Sequence, residues 1–459
     1  MRVLPIAAAL VAAPAFAAPV VLDGEFDDWQ GREVAFEIID PAGDASGKFD
    51  VLGLRGAAEG DTLYLELTLA EPLNLQSGPG DDGTLVLDVY LADGRTLSID
   101  FRGRSAMFEG VLVPWSAIRF EALPTYASAR QEMRIDLGGI VTEFAGEATI
   151  SVRGSDDVAP ATTSLAPAED RPTPTMRPDA KPAAGEGFRL ANMNVLWDGL
   201  ADDERGPGLA RLLRFADADV VTLQEAIARN AQPNLGRGEE PDVDGASART
   251  AATVASRLGG EWNAVADGLG CAVVSRHPLQ RVELRDPVRG AAAIVDLNGD
   301  GFDAGDPLVV SVHLKCCGYA GNDDDLRRAE QAIALARSLR RDDLDAHPLV
   351  VAGDYNLVGS SLPRDVLTGP ALSLREAIPL QLGDASATTW RGLDPTESFW
   401  PGRLDLILHN AGLAPAQTFS IDTTELPPAT LRALRLTPDA SLASDHLLLV
   451  ADFAFSPEN

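Results

Sequence analysis

The chain has 459 residues, with 38 Lys+Arg against 69 Asp+Glu, a formal net charge of −31 at pH 7 and 45% hydrophobic residues. That hydrophobic share excludes a chain disordered throughout, and the length leaves room for two or three domains. The charge excludes a broad basic face for holding nucleic acid, but not an enzyme that meets phosphate through a metal ion, whose positive charge is local.

Residues 1–17 read as a secretory signal peptide. Arg2 is a minimal basic n-region, Val3 to Ala13 form an apolar run too short to span a bilayer, and Ala15-Phe16-Ala17 is a small-x-small cleavage site. The expected location is the periplasm or the medium. No later run approaches the ~18–20 apolar residues of a membrane helix, so no integral membrane segment is expected after cleavage.

Residues 18–153 alternate apolar and polar positions in short runs. Thr62 to Leu69 is the clearest strand, and Thr84–Tyr90 with Thr96–Phe101, joined across Ala92-Asp93-Gly94, reads as a hairpin. This pattern predicts an all-β sandwich as an accessory domain. Residues 154–187, with Pro160, Pro167, Pro172, Pro174, Pro178 and Pro182 among small and acidic residues, predict an extended tether. Residues 188–459 switch to mixed α/β. Strands are expected at Val220–Leu223, Cys271–Val274, Leu308–His313 and Leu349–Ala352. A helix is expected over Asp325–Arg340, with Leu326, Ala329, Ala332, Ile333, Ala336 and Leu339 on its apolar face.

Several of these strands run straight into polar residues: Asn192-Met193-Asn194, Gln224-Glu225, His313, and Gly353-Asp354-Tyr355-Asn356. Arg403-Leu404-Asp405 and Ser444-Asp445-His446 stand just before two further apolar runs. Carboxylates, amides and imidazoles gathered at strand ends suit one hard divalent cation and a phosphate bound to it. Buried carboxylates without such compensation would be costly.

Taken in order, Asn194-Val195, Leu223-Gln224-Glu225, Val274-Ser275-Arg276-His277-Pro278, Val312-His313-Leu314, Gly353-Asp354-Tyr355-Asn356, Thr389-Trp390, Arg403 to Ile407 and Ser444-Asp445-His446 resemble the endonuclease/exonuclease/phosphatase superfamily. The resemblance spans about residues 188–455. It implies an α+β chain in which a four-layer α/β sandwich hydrolase domain follows the β-sandwich. Glu225 would be the principal metal ligand, with Asn194 beside it and Asp445 contributing. Asp354 would orient or deprotonate the attacking water, and Asn356 would hold the phosphoryl group or that water. His446, polarised by Asp405, would face the scissile phosphate, and His313 would donate to a non-bridging oxygen. Lys315 shares a strand face with His313 and is either a phosphate contact or a solvated lysine; Arg276 is a further candidate for substrate contact. His277, His347 and His409 read as bystanders. Magnesium is the default ion, with manganese and calcium as the other hard cations.

The implied activity is a metal-dependent phosphoric ester hydrolase, with DNA or RNA as the first-choice substrate. Phospholipid head groups and phosphomonoesters are the alternatives, and a non-catalytic surface-binding protein is the contrasting class. Trp400 is a candidate for an exposed rim touching lipid or bases, or for a core residue. Leu22 to Trp29 and Asp61 to Leu65 resemble family-nine-type carbohydrate-binding modules. Trp29 and Tyr64 there either stack on a glycan or surface ligand or pack a core. For Cys271, Cys316 and Cys317 the readings are a bridge from Cys271 to one of the pair, a vicinal disulfide, or free thiols. Asp296-Leu-Asn298-Gly-Asp300-Gly301 with Asp303 and Asp306 is either a polar hairpin turn or the start of a calcium loop, though Pro307 stands at the twelfth position.

Overall fold

The structure is a computed structural model describing residues 20–76, 83–141, 146–166, 178, 180–183, 185–233, 239–394 and 396–456. The proposed signal peptide lies outside the described residues. Among the described residues, no helix is long and apolar enough to cross a membrane.

The N-terminal region is a pair of antiparallel sheets. One orders Phe36–Ile39, Val51–Glu59, Thr62–Leu73, Ser128–Asp136 and Glu121–Leu123; the other orders Val158–Leu165, Gly146–Gly154, Leu85–Leu91, Thr96–Asp100, Ser105–Phe108 and Val111–Val113. Alternate residues of both sheets, such as Leu63, Leu65, Leu67, Leu87, Val89, Leu97 and Ile99, are buried in one shared core. The predicted hairpin is present, with Val89 opposite Leu97.

The tether expectation needs two corrections. Val158–Leu165, placed in the tether by its proline and small polar residues, is a strand pairing with Gly146–Gly154, with a register shift that brings both Val158 and Leu165 into the core. Nor does the sandwich hang free. Trp400, from the C-terminal region, is 1% exposed and packs inside the sandwich core against Phe101, Trp115 and Phe120, with ring centroids 5.5–5.9 Å away. Leu22 pairs with Ala385 and Ala387 through backbone hydrogen bonds of 2.8 and 2.7 Å, and Arg134 donates to Asp384 at 2.7 Å.

The C-terminal region holds two further sheets. The seven-stranded sheet orders Asn263–Ala266, Ala272–Ser275, Val220–Gln224, Gly187–Asn194, Leu448–Phe455, Leu413–Ile421 and Leu380–Gln381. The six-stranded sheet orders Leu279–Val282, Gly290–Val295, Leu308–His313, Leu349–Asp354, Asp405–His409 and Arg375–Glu376. Leu190, Val220, Leu449 and Phe453 of the first meet Val309, Val350, Ala352 and Ile407 of the second in a buried cluster. Helices Gly206–Ala216 and Val243–Leu258 cover the other face of the first sheet, and Asp323–Leu339 and Leu362–Thr368 that of the second.

Helix Asp323–Leu339 begins where Asn322 caps the Asp325 N–H, with three aspartates in its first turn favoured by the helix dipole. Its buried stripe differs from the expected one, and Ile333 is only half-buried. Leu326 is exposed and Leu335 is buried, because the packed face passes through Gln331 and Ser338.

Candidate active site

The site follows from strand register. Asp354 is paired with His313 on one side and Asp405 on the other, and the His313 N–H bonds to the Arg289 carbonyl at 3.1 Å. Arg289, His313, Asp354 and Asp405 therefore stand side by side at one end of the six-stranded sheet. Strand period two then fixes their direction. Val350 and Ala352 face the other sheet while Val351 faces the helices, so Asp354 also faces the other sheet. The same alternation turns Asn194 inward with Leu190, and Gln224 with Val220. The inward faces are apolar through the middle and polar at this end.

Beneath the site the two sheets are tied by buried polar side chains. Thr222 Oγ1 and Gln224 Nε2 both donate to Asn192 Oδ1, at 2.8 and 3.0 Å. Gln224 Nε2 also lies 3.0 Å from Ser311 Oγ, whose hydroxyl donates to the Leu223 carbonyl at 2.8 Å. Such a network fixes one sheet against the other because misalignment would leave buried polar groups unpaired.

Glu225 and Asn356 leave their strands in the left-handed region, at φ +55° and +49°. Asn tolerates this, whereas Glu carries a cost of about 1–2 kcal/mol. Its surroundings hold it there: the N–H groups of Asp198 and Ile227 both donate to its carbonyl at 2.7 Å, and the Trp197 N–H donates to its carboxylate at 3.1 Å. The turn swings the carboxylate towards the Asn194 amide, whose Nδ2 donates to both Glu225 Oε1 and Asp354 Oδ2 at 3.2 Å.

His446 Nδ1 is 2.7 Å from Asp405 Oδ2, and its Nε2 is 3.6 Å from Asp354 Oδ2. Burial alone would lower this imidazole's pKa, but the charges of Asp405 and Asp354 raise it to about 10. His446 is thus an imidazolium at neutral pH. Burial pushes Asp354 up to about 7; Asp405 and Glu225 add to the rise, and His446 and the Asn356 N–H oppose it. His313 behaves in the opposite way. Its Nε2 is 3.5 Å from Asp354 Oδ2, yet burial together with Arg289, His446 and Lys315 holds it well below the ordinary imidazole range, so it is neutral.

Glu225, Asp354, Asp445, His313 and His446 line one cavity of about 470 Å³. A hard cation fits this donor set. Three carboxylates, those of Glu225, Asp354 and Asp445, face one space. Glu225, Asn194 and Asp445 offer oxygen atoms of the kind magnesium, manganese and calcium prefer. Asn194 Oδ1 now accepts from the Leu196 N–H at 3.0 Å, so ligation would use its second lone pair or a turned amide. Asp354, Asp405 and His446 also offer ligand atoms within 4.8 Å of one another.

Of the remaining expected residues, Asn356 lines the cavity, its N–H donating to Asp354 Oδ1 at 2.9 Å and its side chain to the Leu314 carbonyl at 3.2 Å. Lys315 also lines it, but its ammonium is 3.2 Å from Asp324 Oδ1. Arg276 does not belong to the site: its guanidinium stacks 4.9 Å over Trp262, since the loop after Ser275 turns it away. The arginine beside these strand-end residues is Arg289, which sequence reading missed, because only its register with His313 brings it there. His347 and His409 make backbone contacts, at 2.8 Å to the Asp306 carbonyl and 2.9 Å to the Asn410 carbonyl.

All three cysteines are free. Cys271 is buried against the Arg289 carbonyl, so the bridge from it is not formed, while Cys316 and Cys317 sulfurs lie 2.7 Å apart at the cavity edge. The Asp296 carboxylate receives the N–H groups of Gly299 and Gly301, as a polar turn requires.

Residues 191–446 match the model of the Endonuclease/Exonuclease/phosphatase family. The match covers more than half of the chain, and the chain belongs to that family. It is a phosphoester hydrolase. Solved structures similar to this chain include the human Nocturnin catalytic domain with bound sulfate (20% identity, 62% of this chain, 100% of that one, TM-score 0.39). Two more are a Neisseria 3′ phosphatase, NExo, bound to a product DNA hairpin (19%, 58% and 100%, TM-score 0.39), and an endonuclease/exonuclease/phosphatase from Bacteroides vulgatus (14%, 59% and 99%, TM-score 0.40). No curated protein matches.

Proposed function

We propose that the chain is an exported, divalent-cation-dependent phosphodiesterase acting on nucleic acid. The observation that carries the hydrolytic chemistry is a buried carboxylate and a buried imidazole 3.6 Å apart, beside a carboxylate–amide pair suited to a hard cation. Asp354 accepts a proton from water as the water oxygen bonds to phosphorus. His446, charged and aimed by Asp405, stands on the same side as Asp354 and hydrogen-bonds the phosphate there; the old P–O bond breaks on the opposite side, its departing oxygen taking a proton from solvent. His313 and Asn356 supply hydrogen bonds to phosphoryl oxygens, whose negative charge grows in the transition state. A cation held by Glu225 and Asn194, with Asp445, would neutralise phosphate charge.

The packing of helices outside two facing sheets supports a four-layer hydrolase over residues 188–459, with the sandwich extended to Leu165. Magnesium is the proposed ion. Export rests on the N-terminal sequence alone. A glycan ligand for the sandwich draws no support from Trp29 and Tyr64, both buried in a small core. The lipid reading loses its candidate rim residue, since Trp400 is buried.

The test is hydrolysis of single-stranded oligonucleotide by the full chain with magnesium, beside a chelator control. Activity should vanish with chelator and fall at least about a hundredfold in Asp354→Asn and His446→Ala. Near-wild-type rates in either variant would overturn the assigned roles. Release of inorganic phosphate from phosphomonoesters, without diester cleavage, would replace the phosphodiesterase reading.

A further inference from the structure

The cavity that holds the catalytic row is not built by the hydrolase alone. Asn74, Gln76 and Thr125 of the sandwich line it together with Glu225, Asp354 and His446. Each is locked to the hydrolase backbone near a catalytic side chain. Asn74 Nδ2 donates to the carbonyl of Val358, two residues beyond Asn356, and to the Thr125 carbonyl at 3.1 Å. Thr125 Oγ1 accepts from the Arg403 N–H at 2.8 Å, two residues before Asp405. Gln76 Nε2 donates to the Trp400 carbonyl at 3.3 Å, and its own N–H donates to Asn74 Oδ1 at 2.8 Å.

Gln76 carries the inference. Its side chain is 8% exposed, and Oε1 is buried with no hydrogen-bond partner among the described residues. The Trp400 carbonyl can only accept, so it fixes which end of the amide faces it and leaves Oε1 as the free end. A buried acceptor without a partner costs about 1–3 kcal/mol. A phosphoryl oxygen, itself an acceptor, cannot relieve that cost; a hydroxyl or N–H donor can.

We propose that the sandwich is a working wall of the active site, in which Gln76 Oε1 selects phosphoesters whose alcohol portion carries a hydrogen-bond donor, such as a nucleoside hydroxyl or base N–H. This rests on the phosphodiesterase reading and deepens it. Gln76 determines specificity and takes no part in bond breaking. Because the wall is braced at Val358, Arg403 and Trp400, the acceptor is held in place before substrate arrives, which keeps the ordering cost of binding small.

The test compares two chromogenic esters with the full chain and magnesium: thymidine 5′-(p-nitrophenyl phosphate), and the same ester methylated at its 3′-hydroxyl and base N3. Wild type should favour the unmethylated ester by about 10–100-fold in kcat/KM. In Gln76→Met, which keeps side-chain volume, that ratio should collapse towards one. A wild-type ratio near one overturns the proposal whether or not the variant folds, and so does a folded variant that keeps the wild-type ratio. If wild type hydrolyses neither ester, nor bis(p-nitrophenyl) phosphate, the phosphodiesterase reading falls first and this one with it.

Discussion

Asp405 has no exposed surface and is paired with His446. It does two things to His446: it fixes the ring through Nδ1, and its charge is the largest influence raising the imidazole pKa against burial. The charge can be removed with little change of shape, because an amide oxygen at the same place can still accept from Nδ1. In Asp405→Asn the His446 pKa should fall from about 10 to its unperturbed value, near 6.5, or below it, because burial is then less strongly opposed. At pH 8 the ring would be mostly neutral, and turnover should drop by about a hundredfold or more. NMR titration of the His446 ring protons in both proteins measures this directly. An unchanged titration would refute Asp405 as the source of the charge.

At the scale of elements, the parts of the site legible in the sequence were those where an apolar strand run stops at a polar residue. Asn194, His313 and Asp354 are last in their strands and Asp405 is first in its own, so the side-chain period of two carried them to one face. Arg289 was not legible, because it joins the row only through register with His313, and register depends on strand pairing rather than local pattern. The Asn192–Thr222–Gln224–Ser311 network was hidden for a related reason: each residue is unremarkable in its own strand, and the partners lie up to 87 positions apart. The strand Val158–Leu165 was missed because proline and small polar residues obscured an alternation that matters only beside Gly146–Gly154.

The strand Ser128–Asp136 offers a prediction of its own. Glu132 there is wholly buried and receives N–H groups from Asp23, Gly24 and the Trp29 indole. Burial nonetheless pushes its carboxyl up to about 8, with the Asp23 charge adding to the rise. A folded-state pKa above the unfolded value means that the native protein keeps a proton that the unfolded chain gives up. The resulting stability is fully present below about pH 4.5 and is lost progressively as pH rises to about 8, by at most about 1.4 kcal/mol per pH unit. Glu132→Gln should be less stable at pH 5 but should show a flatter melting temperature between pH 5 and 8. If wild type and variant change in parallel across that range, Glu132 is not the titrating group.

For the whole molecule, the sandwich and hydrolase are joined by contacts of the kind found inside a single domain. Trp400 reaches from the hydrolase into the other core, where it meets three aromatic rings. Close by, Arg134 and Asp384 form a buried ion pair, the guanidinium holding the carboxyl below its usual range despite burial. Losing either half of such a pair leaves an uncompensated charge. Arg364 adds a link to Glu25, and Arg403 one to the Asp23 carbonyl. Two units coupled this strongly should unfold together, so calorimetry of the full chain should show one transition. Trp400→Ala removes the plug at a cost of about 3–5 kcal/mol, and that loss falls on the interface as well as on the sandwich core. The variant's trace should separate into two transitions, and activity should decline at the lower one, because the wall carrying Asn74, Gln76 and Thr125 leaves the cavity when the sandwich melts. Two transitions already present in wild type would mean that the sandwich is a loosely attached module and that the hydrolase keeps its site without it.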